Sequence, residues 1–192
     1  DPVHHIGGNV KLHDGKIHNE VLNLCQGRTH MLDIGGNVGR WSNYYADIFK
    51  KVTAFEPADY NIECFKKNTK DKTNITLHEY GLSDKDGKGN LSVAIAEHLG
   101  STRVHPSVDG DIVLKTLDSH NYTDIDVLKV DVEGLEIPVL NGARKTLARC
   151  SPIIVIERCV LNSTAYGYSK NDSHKLLVEL GYSRAVKITR DC

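Results

Sequence analysis

The fold of this chain is decided by residues 32–39, which read Leu-Asp-Ile-Gly-Gly-Asn-Val-Gly. An apolar run into this stretch predicts a buried strand over residues 29–34, and an apolar repeat with helical spacing follows over residues 38–50. Glycine at the junction lets the backbone approach a ligand closely, and the first turn of the helix presents free N–H groups. The stretch therefore predicts a strand, a ligand-binding turn and a helix in succession.

The same alternation of strand and helix continues along the chain. Repeated strand–helix–strand units favour an α/β domain with a mainly parallel sheet and right-handed crossovers. Further strands are predicted over residues 51–55, 75–80, 91–94, 125–131, 152–157 and 182–189, helices over 58–69, 135–148 and 171–180, and an exposed loop over 97–111.

The composition is that of an ordinary globular domain. The 192 residues are 40% hydrophobic and 26% charged, which excludes a disordered or low-complexity chain. Twenty-four basic and 25 acidic residues leave a net charge of −1, which disfavours a nucleic-acid partner. No run approaches the roughly 18 apolar residues that a membrane span needs. The five cysteines are an odd number and form no C-x-x-C pair, which favours free thiols in a reducing compartment. We therefore expect a cytoplasmic location.

The polar residues at the predicted strand ends indicate the ligand. The glycine turn lacks the G-x-G-x-x-G spacing of a dinucleotide site, because Asn37 and Arg40 stand where the second and third glycines would be, and this disfavours NAD. Asp33 before the turn suits a ligand with an ammonium group. Glu56 ends the next strand, 23 residues after Asp33, and can accept hydrogen bonds from both hydroxyls of a ribose. Together these features predict S-adenosylmethionine, which carries an amine, a carboxylate, a ribose and a sulfonium.

Over about residues 29–158 the chain resembles the FkbM-type S-adenosylmethionine-dependent methyltransferases. Seven motifs occur in the order found in that family, and they are LDIGGNVG at 32–39, AFEP at 54–57, GLSD at 81–84, TLD at 116–118, LKVDVEGLE at 128–136, VLNGA at 139–143 and PIIVIE at 152–157.

The resemblance implies a Rossmann-like class I methyltransferase fold, with a mainly parallel central sheet flanked by helices. Only one strand follows the last predicted helix where that fold usually has two, so we expect a C-terminal hairpin that is either shortened or packed differently. The family usually has Ala where Gly36 stands, which keeps the position small. By motif match, Asp33, Gly35, Asn37 and Gly39 would hold the methionine end of the cofactor, Glu56 the ribose, and Leu82 and Ser83 would lie near the adenine, with Gly36, Pro57 and Asp131 as further cofactor-binding residues.

The reaction that the resemblance implies is methyl transfer to oxygen, often a hydroxyl of a sugar, with S-adenosylhomocysteine as the product. Such a hydroxyl is a poor nucleophile while protonated, so a base or a metal should assist. Lys129 and Asp131 share one face of their strand, and Glu133 lies in the loop beyond. We predict Asp131 or Glu133 as the base with Lys129 as its electrostatic partner, although Lys129 could instead pair with a carboxylate across strands. Glu136 is interpreted as a first-turn helix acid. Asp131 and Glu157 are candidate ligands for Mg²⁺ or Mn²⁺, which methyl transfer does not require.

The acceptor pocket is predicted in two irregular segments, residues 97–106 and 160–170, which are rich in hydrogen-bonding side chains. Tyrosines in the second segment can stack on sugar faces. The candidate acceptor-binding residues are His98, Arg103, His105, Glu157, Tyr166 and Tyr168.

The leading hypothesis is thus an O-methyltransferase that acts on a sugar or glycan. The alternatives are an RNA 2′-O-methyltransferase, which would need a basic groove, and a non-catalytic module that binds the cofactor as a scaffold. Because the sequence begins Asp1-Pro2 and its single Met is Met31, we expect a domain cut from a longer polypeptide, with neighbours such as glycosyltransferases. Residues 1–28 would form a helical lead-in and residues 29–192 the catalytic core.

Overall fold

The structure is a computed structural model that describes residues 15–93, 102–156, 164–169 and 171–183. His98, Glu157 and most of the strand predicted over residues 182–189 lie outside these ranges, and so does the predicted C-terminal hairpin.

The strands of the described residues form two sheets. They are β1 His30–Ile34, β2 Lys51–Phe55, β3 Ile75–His78, β4 Gly81–Leu82, β5 Gly87–Val93, β6 Thr102–Pro106, β7 Ile112–Lys115, β8 Ile125–Val130 and β9 Ile153–Ile156. The central sheet has the order β3-β2-β1-β8-β9, and all of its pairs are parallel. The strand order therefore reverses between β1 and β8, at the kind of switch point where open parallel sheets bind ligands.

Helices connect the parallel strands, as the sequence predicts. They are α1 Gly15–Leu24, α2 Arg40–Ala46, α3 Asp59–Asn68, α4 Glu136–Asn141, α5 Arg144–Cys150 and α6 Asp172–Glu179, with a short 3₁₀ helix at Leu117–His120. The prediction of a single helix over residues 135–148 is wrong, because the helix is interrupted at Gly142, between α4 and α5. A Cβ at position 142 would lie 2.0 Å from the Ser83 carbonyl oxygen, so the break occurs where the backbone touches the end of β4.

Two apolar clusters cover the two faces of the central sheet. Leu32 and Ile34 of β1 belong to one cluster, together with residues of α4 and α5, and Met31 belongs to the other, together with residues of α1 and α2. Successive side chains of a strand point to opposite faces, so a central parallel strand is apolar on both sides. This is why β1 and β8 were recognisable as mostly apolar runs. The Rossmann-like α/β fold is confirmed.

The second sheet corrects part of the loop expected over residues 97–111, because residues 102–106 form β6, whereas residues 97–101 lie outside the described ranges and residues 107–111 are irregular. Its order is β4-β7-β5-β6, and β5 pairs antiparallel with both β6 and β7. Residues 87–90, which look like a turn because they contain two glycines, form the first half of β5. Gly110 shows the reason, since a Cβ there would lie 2.2 Å from the Gly89 carbonyl oxygen. These glycines permit close backbone approach between distant segments.

Within the ranges that the structure describes, no helix is both long and apolar enough to cross a membrane.

Candidate active site

The glycine turn after β1 is built so that its backbone touches the end of β8. Gly35 has a φ of 79°, and a Cβ there would lie 1.8 Å from the carbonyl oxygen of Asp131. Any larger residue would need both a left-handed backbone and a displaced β8 end. Asn37 also has a positive φ, 47°, and its backbone N–H donates to Glu56 Oε2 at 2.8 Å. The turn is thereby joined to the ends of both neighbouring strands.

Asp33 and Lys129 form a buried ion pair directly beneath this turn. The two residues are register partners on β1 and β8, and Lys129 Nζ lies 3.0 Å from Asp33 Oδ1. Ser42 of α2 donates to Asp33 Oδ2 from its backbone N–H at 3.1 Å and from its hydroxyl at 2.7 Å. Lys129 also donates to the Gly35 carbonyl at 2.7 Å and lies 3.6 Å from Asp131 Oδ2. The buried ammonium group of Lys129 therefore contacts Asp33 on β1, the glycine turn at Gly35, and the candidate base Asp131.

Glu56 is held rigidly at the end of β2. Its side chain is nearly enclosed, with 5% of the residue exposed. Besides the Asn37 N–H, Oε1 accepts from the Ala58 N–H at 3.0 Å and from the side-chain amide of Asn61 at 3.2 Å. Burial raises the pKa of Glu56 above its ordinary value, and the hydrogen bonds from Ala58, Asn61 and Asn37 oppose that rise.

The loop between β8 and α4 carries the acidic residues. Glu133 has a φ of 54° and Gly134 a φ of 118°, so the chain bends sharply here. The Glu136 carboxylate accepts the Gly134 N–H at 3.0 Å and fixes the bend. Burial raises the pKa of Glu136. Because α4 begins at Glu136, the interpretation of this residue as a first-turn helix acid is confirmed.

These parts surround one cavity at the carboxyl ends of β1, β2 and β8. Its opposite wall is the second sheet, through β5 and β6. The lining residues are Ile34, Gly35, Asn37, Phe55, Glu56, Pro57, Asn61, Gly81, Leu82, Leu91, Thr102, Val104, Asp131, Val132, Glu133 and Leu135. The predicted residues in this lining are Gly35, Asn37, Glu56, Pro57, Leu82, Asp131 and Glu133.

Other predicted cofactor residues lie behind the cavity wall. Asp33 is fully buried against Ser42 and Lys129, and the Ser83 hydroxyl donates to Asp84. A Cβ at Gly36 would lie 3.0 Å from the Phe65 ring, so an alanine there needs only a small shift of that ring. Gly39 has a φ of 84° and precedes α2, where it shapes the end of the turn. The cofactor roles assigned to these residues remain predictions.

The two predicted acceptor segments do meet in the structure. The His105 and Tyr166 rings stack with centroids 5.4 Å apart, and the Tyr166 hydroxyl donates to the Val104 carbonyl at 3.0 Å. Burial raises the pKa of Tyr166 to about 12. Tyr168 is half-buried in the same segment.

The contact between His105 and Tyr166 lies on the face of β6 that points away from the cavity. Thr102 and Val104 line the cavity, so alternation along β6 places Arg103 and His105 on the opposite face. Direct acceptor contacts for those two side chains stay predictions.

Sequence reasoning missed the residues that complete the cavity. Asn61 lies in the first turn of α3, five positions after Glu56, and that spacing after a strand-end acid was a usable signal. Thr102 and Val104 alternate with polar residues, which is the period of a half-buried strand, but the run is too short to distinguish from a loop.

A metal site is not formed by the described residues, which contain no group of three or more His, Cys, Asp or Glu side chains suited to hold an ion. Of the two candidate ligands, Asp131 lies beside Lys129, and Glu157 lies outside the described ranges.

Comparisons with known proteins agree with this arrangement. The family model described as the methyltransferase FkbM domain matches residues 33–183. Hexuronic acid methyltransferase AglP of Haloferax volcanii is 29% identical over 171 residues, which are 83% of this chain and 66% of AglP.

Two solved structures share the fold. The FkbM methyltransferase from Methylobacillus flagellatus has a TM-score of 0.54 at 17% identity, over 80% of this chain and 36% of that protein. The N-methyltransferase NodS from Bradyrhizobium japonicum, solved with S-adenosyl-l-homocysteine, has a TM-score of 0.51 at 12% identity, over 89% of this chain and 76% of NodS.

The chain thus spans 66% of the length of AglP and 36% of the Methylobacillus protein. The family model covers most of the chain and includes the glycine turn, Glu56 and the acidic loop. On this evidence, the chain belongs to the FkbM methyltransferase family.

Proposed function

We propose that this protein transfers a methyl group from S-adenosylmethionine to a hydroxyl of a sugar or glycan. The observation that carries the proposal is that Glu56 and the glycine turn line the same cavity as Asp131 and Glu133. A cofactor seated against the former would present its reactive end near the latter.

The residues of the cavity fit the cofactor. An ionised carboxylate can accept about four hydrogen bonds. The Glu56 carboxylate accepts three within the protein, from Asn37, Ala58 and Asn61. One acceptor position remains on Oε2 for the ribose, because that oxygen accepts only the Asn37 N–H. Leu82 and Phe55 supply an apolar surface suited to an adenine ring. The carbonyl of Gly35 and the carboxylate of Asp131 offer acceptors for an ammonium group.

When bound, the cofactor supplies an electrophilic methyl group on a positively charged sulfur. The protein has to position a hydroxyl in line with that group and accept the proton that leaves the hydroxyl. We assign the proton to the carboxylate of Asp131, because it lines the cavity and Lys129 orients it from behind. Glu133, on the same wall, is the second candidate.

A sugar acceptor is supported by the relative AglP, which is named as a hexuronic acid methyltransferase. Such an acceptor would bind between the cavity wall formed by β5 and β6 and the acidic loop, because residues of both line the cavity. The net charge of −1 disfavours RNA, whose phosphates would require a basic groove.

The test is an assay with methyl-labelled S-adenosylmethionine and separate panels of glycans, including uronic acid glycans, and of RNA. Label in the glycans alone supports the proposal. Label in RNA alone overturns it, and cofactor binding without turnover on either panel favours the scaffold alternative. Parallel reactions with EDTA show whether a divalent metal takes part.

A further inference from the structure

Asn61 is the only residue whose side chain joins α3 to the carboxylate of Glu56 among the described residues. The asparagine is 4% exposed and lines the cavity beside that carboxylate. Its amide nitrogen lies 3.2 Å from Glu56 Oε1. Burying a polar side chain costs free energy unless the side chain is hydrogen-bonded. The hydrogen bonds of Asn61 therefore indicate its role in the cavity wall.

The three donors to Glu56 are divided between its two oxygens. Oε1 receives both the Ala58 N–H and the Asn61 amide, whereas Oε2 receives only the Asn37 N–H from the glycine turn. Two donors on one oxygen fix the rotation of the carboxylate and leave Oε2 as the oxygen with the larger free acceptor capacity. Of the two donors to Oε1, only the Asn61 amide belongs to a side chain, so Asn61 is the part of this clamp that a side-chain substitution removes.

We infer that Asn61 is a positioning residue for cofactor recognition, which holds the carboxylate of Glu56 in the orientation that accepts ribose hydroxyls. This inference rests on the proposed function, because it assumes that the cavity binds S-adenosylmethionine. It assigns Asn61 a part in discriminating ligands with a hydroxylated ribose from ligands without one.

The helix that carries Asn61 is itself anchored on the acceptor side of the cavity. The hydroxyl of the adjacent Tyr60 contacts the hydroxyl of Thr102 on β6. The amide of Asn61 therefore lies on a helix that is fixed at both walls of the site, which suits a residue whose function is orientation.

Binding measurements by isothermal titration can test this inference without any turnover. The ligands are S-adenosylhomocysteine and its 2′,3′-dideoxy analogue, which lacks both ribose hydroxyls. Wild-type protein should bind S-adenosylhomocysteine more tightly than the analogue. Asn61→Ala should weaken binding of S-adenosylhomocysteine about tenfold, the usual scale for a hydrogen bond to a charged group, and binding of the analogue less than about twofold. Asn61→Asp keeps the shape of the side chain but places a second carboxylate beside Glu56. This variant should weaken binding of S-adenosylhomocysteine more than Asn61→Ala does.

The matched control is Asn74→Ala. The Asn74 amide donates to the carbonyls of Ala46 and Phe49, away from the cavity, so this variant loses two partly buried hydrogen bonds without touching Glu56. Its binding of both ligands should equal that of wild type.

The outcomes separate the inference from the proposed function. If wild type does not bind S-adenosylhomocysteine, the proposed function fails and the inference fails with it. If wild type binds it but the two ligands bind equally well, or Asn61→Ala weakens both ligands equally, the inference alone is overturned, since Asn61 would then only support the fold.

Discussion

At the scale of single residues, the site depends on one buried cation. Lys129 contacts the carboxylates of Asp33 and Asp131 and the carbonyl of Gly35, and only 5% of it is exposed. Its partners are fixed in turn, Asp33 by two hydrogen bonds from Ser42. The predicted pairing of Lys129 with Asp131 and the alternative pairing across strands are therefore both present.

Removing this cation should destabilise the fold. Lys129→Met would leave the carboxylate of Asp33 buried without its charge partner, and breaking a buried pair costs about 3–5 kcal/mol. The free energy of unfolding in urea measures the loss. Lys66→Met is the control, because the Lys66–Glu79 pair is half-exposed on both sides and such pairs contribute about 0–1 kcal/mol. Equal losses in the two variants would refute the structural role of Lys129.

The candidate base can be tested at the same scale. Asp131→Asn keeps the size of the side chain but removes its capacity to accept a proton, so we expect the rate of transfer to fall about 10²–10⁴-fold. Affinity for S-adenosylhomocysteine should change only a few-fold, since Glu56 and the glycine turn remain. The rate of Glu133→Gln is measured in the same assay. A larger loss of rate in that variant would identify Glu133, and not Asp131, as the base.

At the scale of elements, the second sheet depends on close backbone approach. Gly110 packs against the backbone of Gly89, and an added Cβ would lie 2.2 Å from the Gly89 carbonyl oxygen. The sheet supplies one wall of the cavity through Leu91 of β5 and Thr102 and Val104 of β6. A disturbance of this packing should therefore reach the site.

The expected result for Gly110→Ala is a loss of about 1–3 kcal/mol in the free energy of unfolding, the range for overpacked sites. Gly87→Ala in the same sheet is the matched control, because a Cβ at position 87 meets nothing within 4 Å. The control should stay within about 0.5 kcal/mol of wild type. A Gly110→Ala protein as stable as the Gly87→Ala protein would contradict the packing described for β5.

Elements also show how far sequence reasoning reaches. The strands β1, β2 and β8 were predictable because each is a short, mostly apolar run buried on both faces, and β9 because its four residues are all apolar, although they are only half-buried. The glycine turn and Glu56 followed from their positions at strand ends. The second half of β5 was predicted as a strand over residues 91–94, but its first half was not, because Gly87, Gly89 and Asn90 have low β propensity, which pairing with β6 and β7 overrides. The strands β6 and β7 were not recognised, because such short runs cannot be distinguished from loops by their pattern.

The same distinction holds within the site. Gly35, Glu56 and Asp131 belong to local motifs, so their convergence followed from the parallel order of β1, β2 and β8. Thr102 and Val104 enter the cavity through the antiparallel pairing of β6 with β5, and the alternation over β6 is too short to predict that strand.

At the scale of the whole molecule, two half-buried histidines couple stability to pH. His78 and His120 lie in a cluster of stacked rings with Phe55, Tyr80 and Tyr122. Burial is the main cause that lowers the pKa of both, and the charge of Lys115 lowers each further. The folded protein thus binds protons at these residues less readily than the unfolded chain does.

The sign of the effect follows from linkage. Between roughly pH 7 and pH 5 the unfolded chain takes up protons at its histidines, and the folded protein lags behind, so stability falls as pH falls. The double variant His78→Gln/His120→Gln should show a shallower fall in unfolding free energy over that range. The raised pKa values of Glu56 and Glu136 act in the opposite direction, but equally in both proteins. A slope unchanged by the double substitution would exclude these histidines as its source.

We expect the cofactor to bind at the switch point between β1 and β8, and a crystal structure of the complex with S-adenosylhomocysteine tests this most directly. We predict ligand density in the cavity at the strand ends, with the ribose hydroxyls on the carboxylate of Glu56 and the sulfur on the side of Asp131 and Glu133. Density elsewhere on the molecule, or a bound ribose that does not touch Glu56, would contradict it.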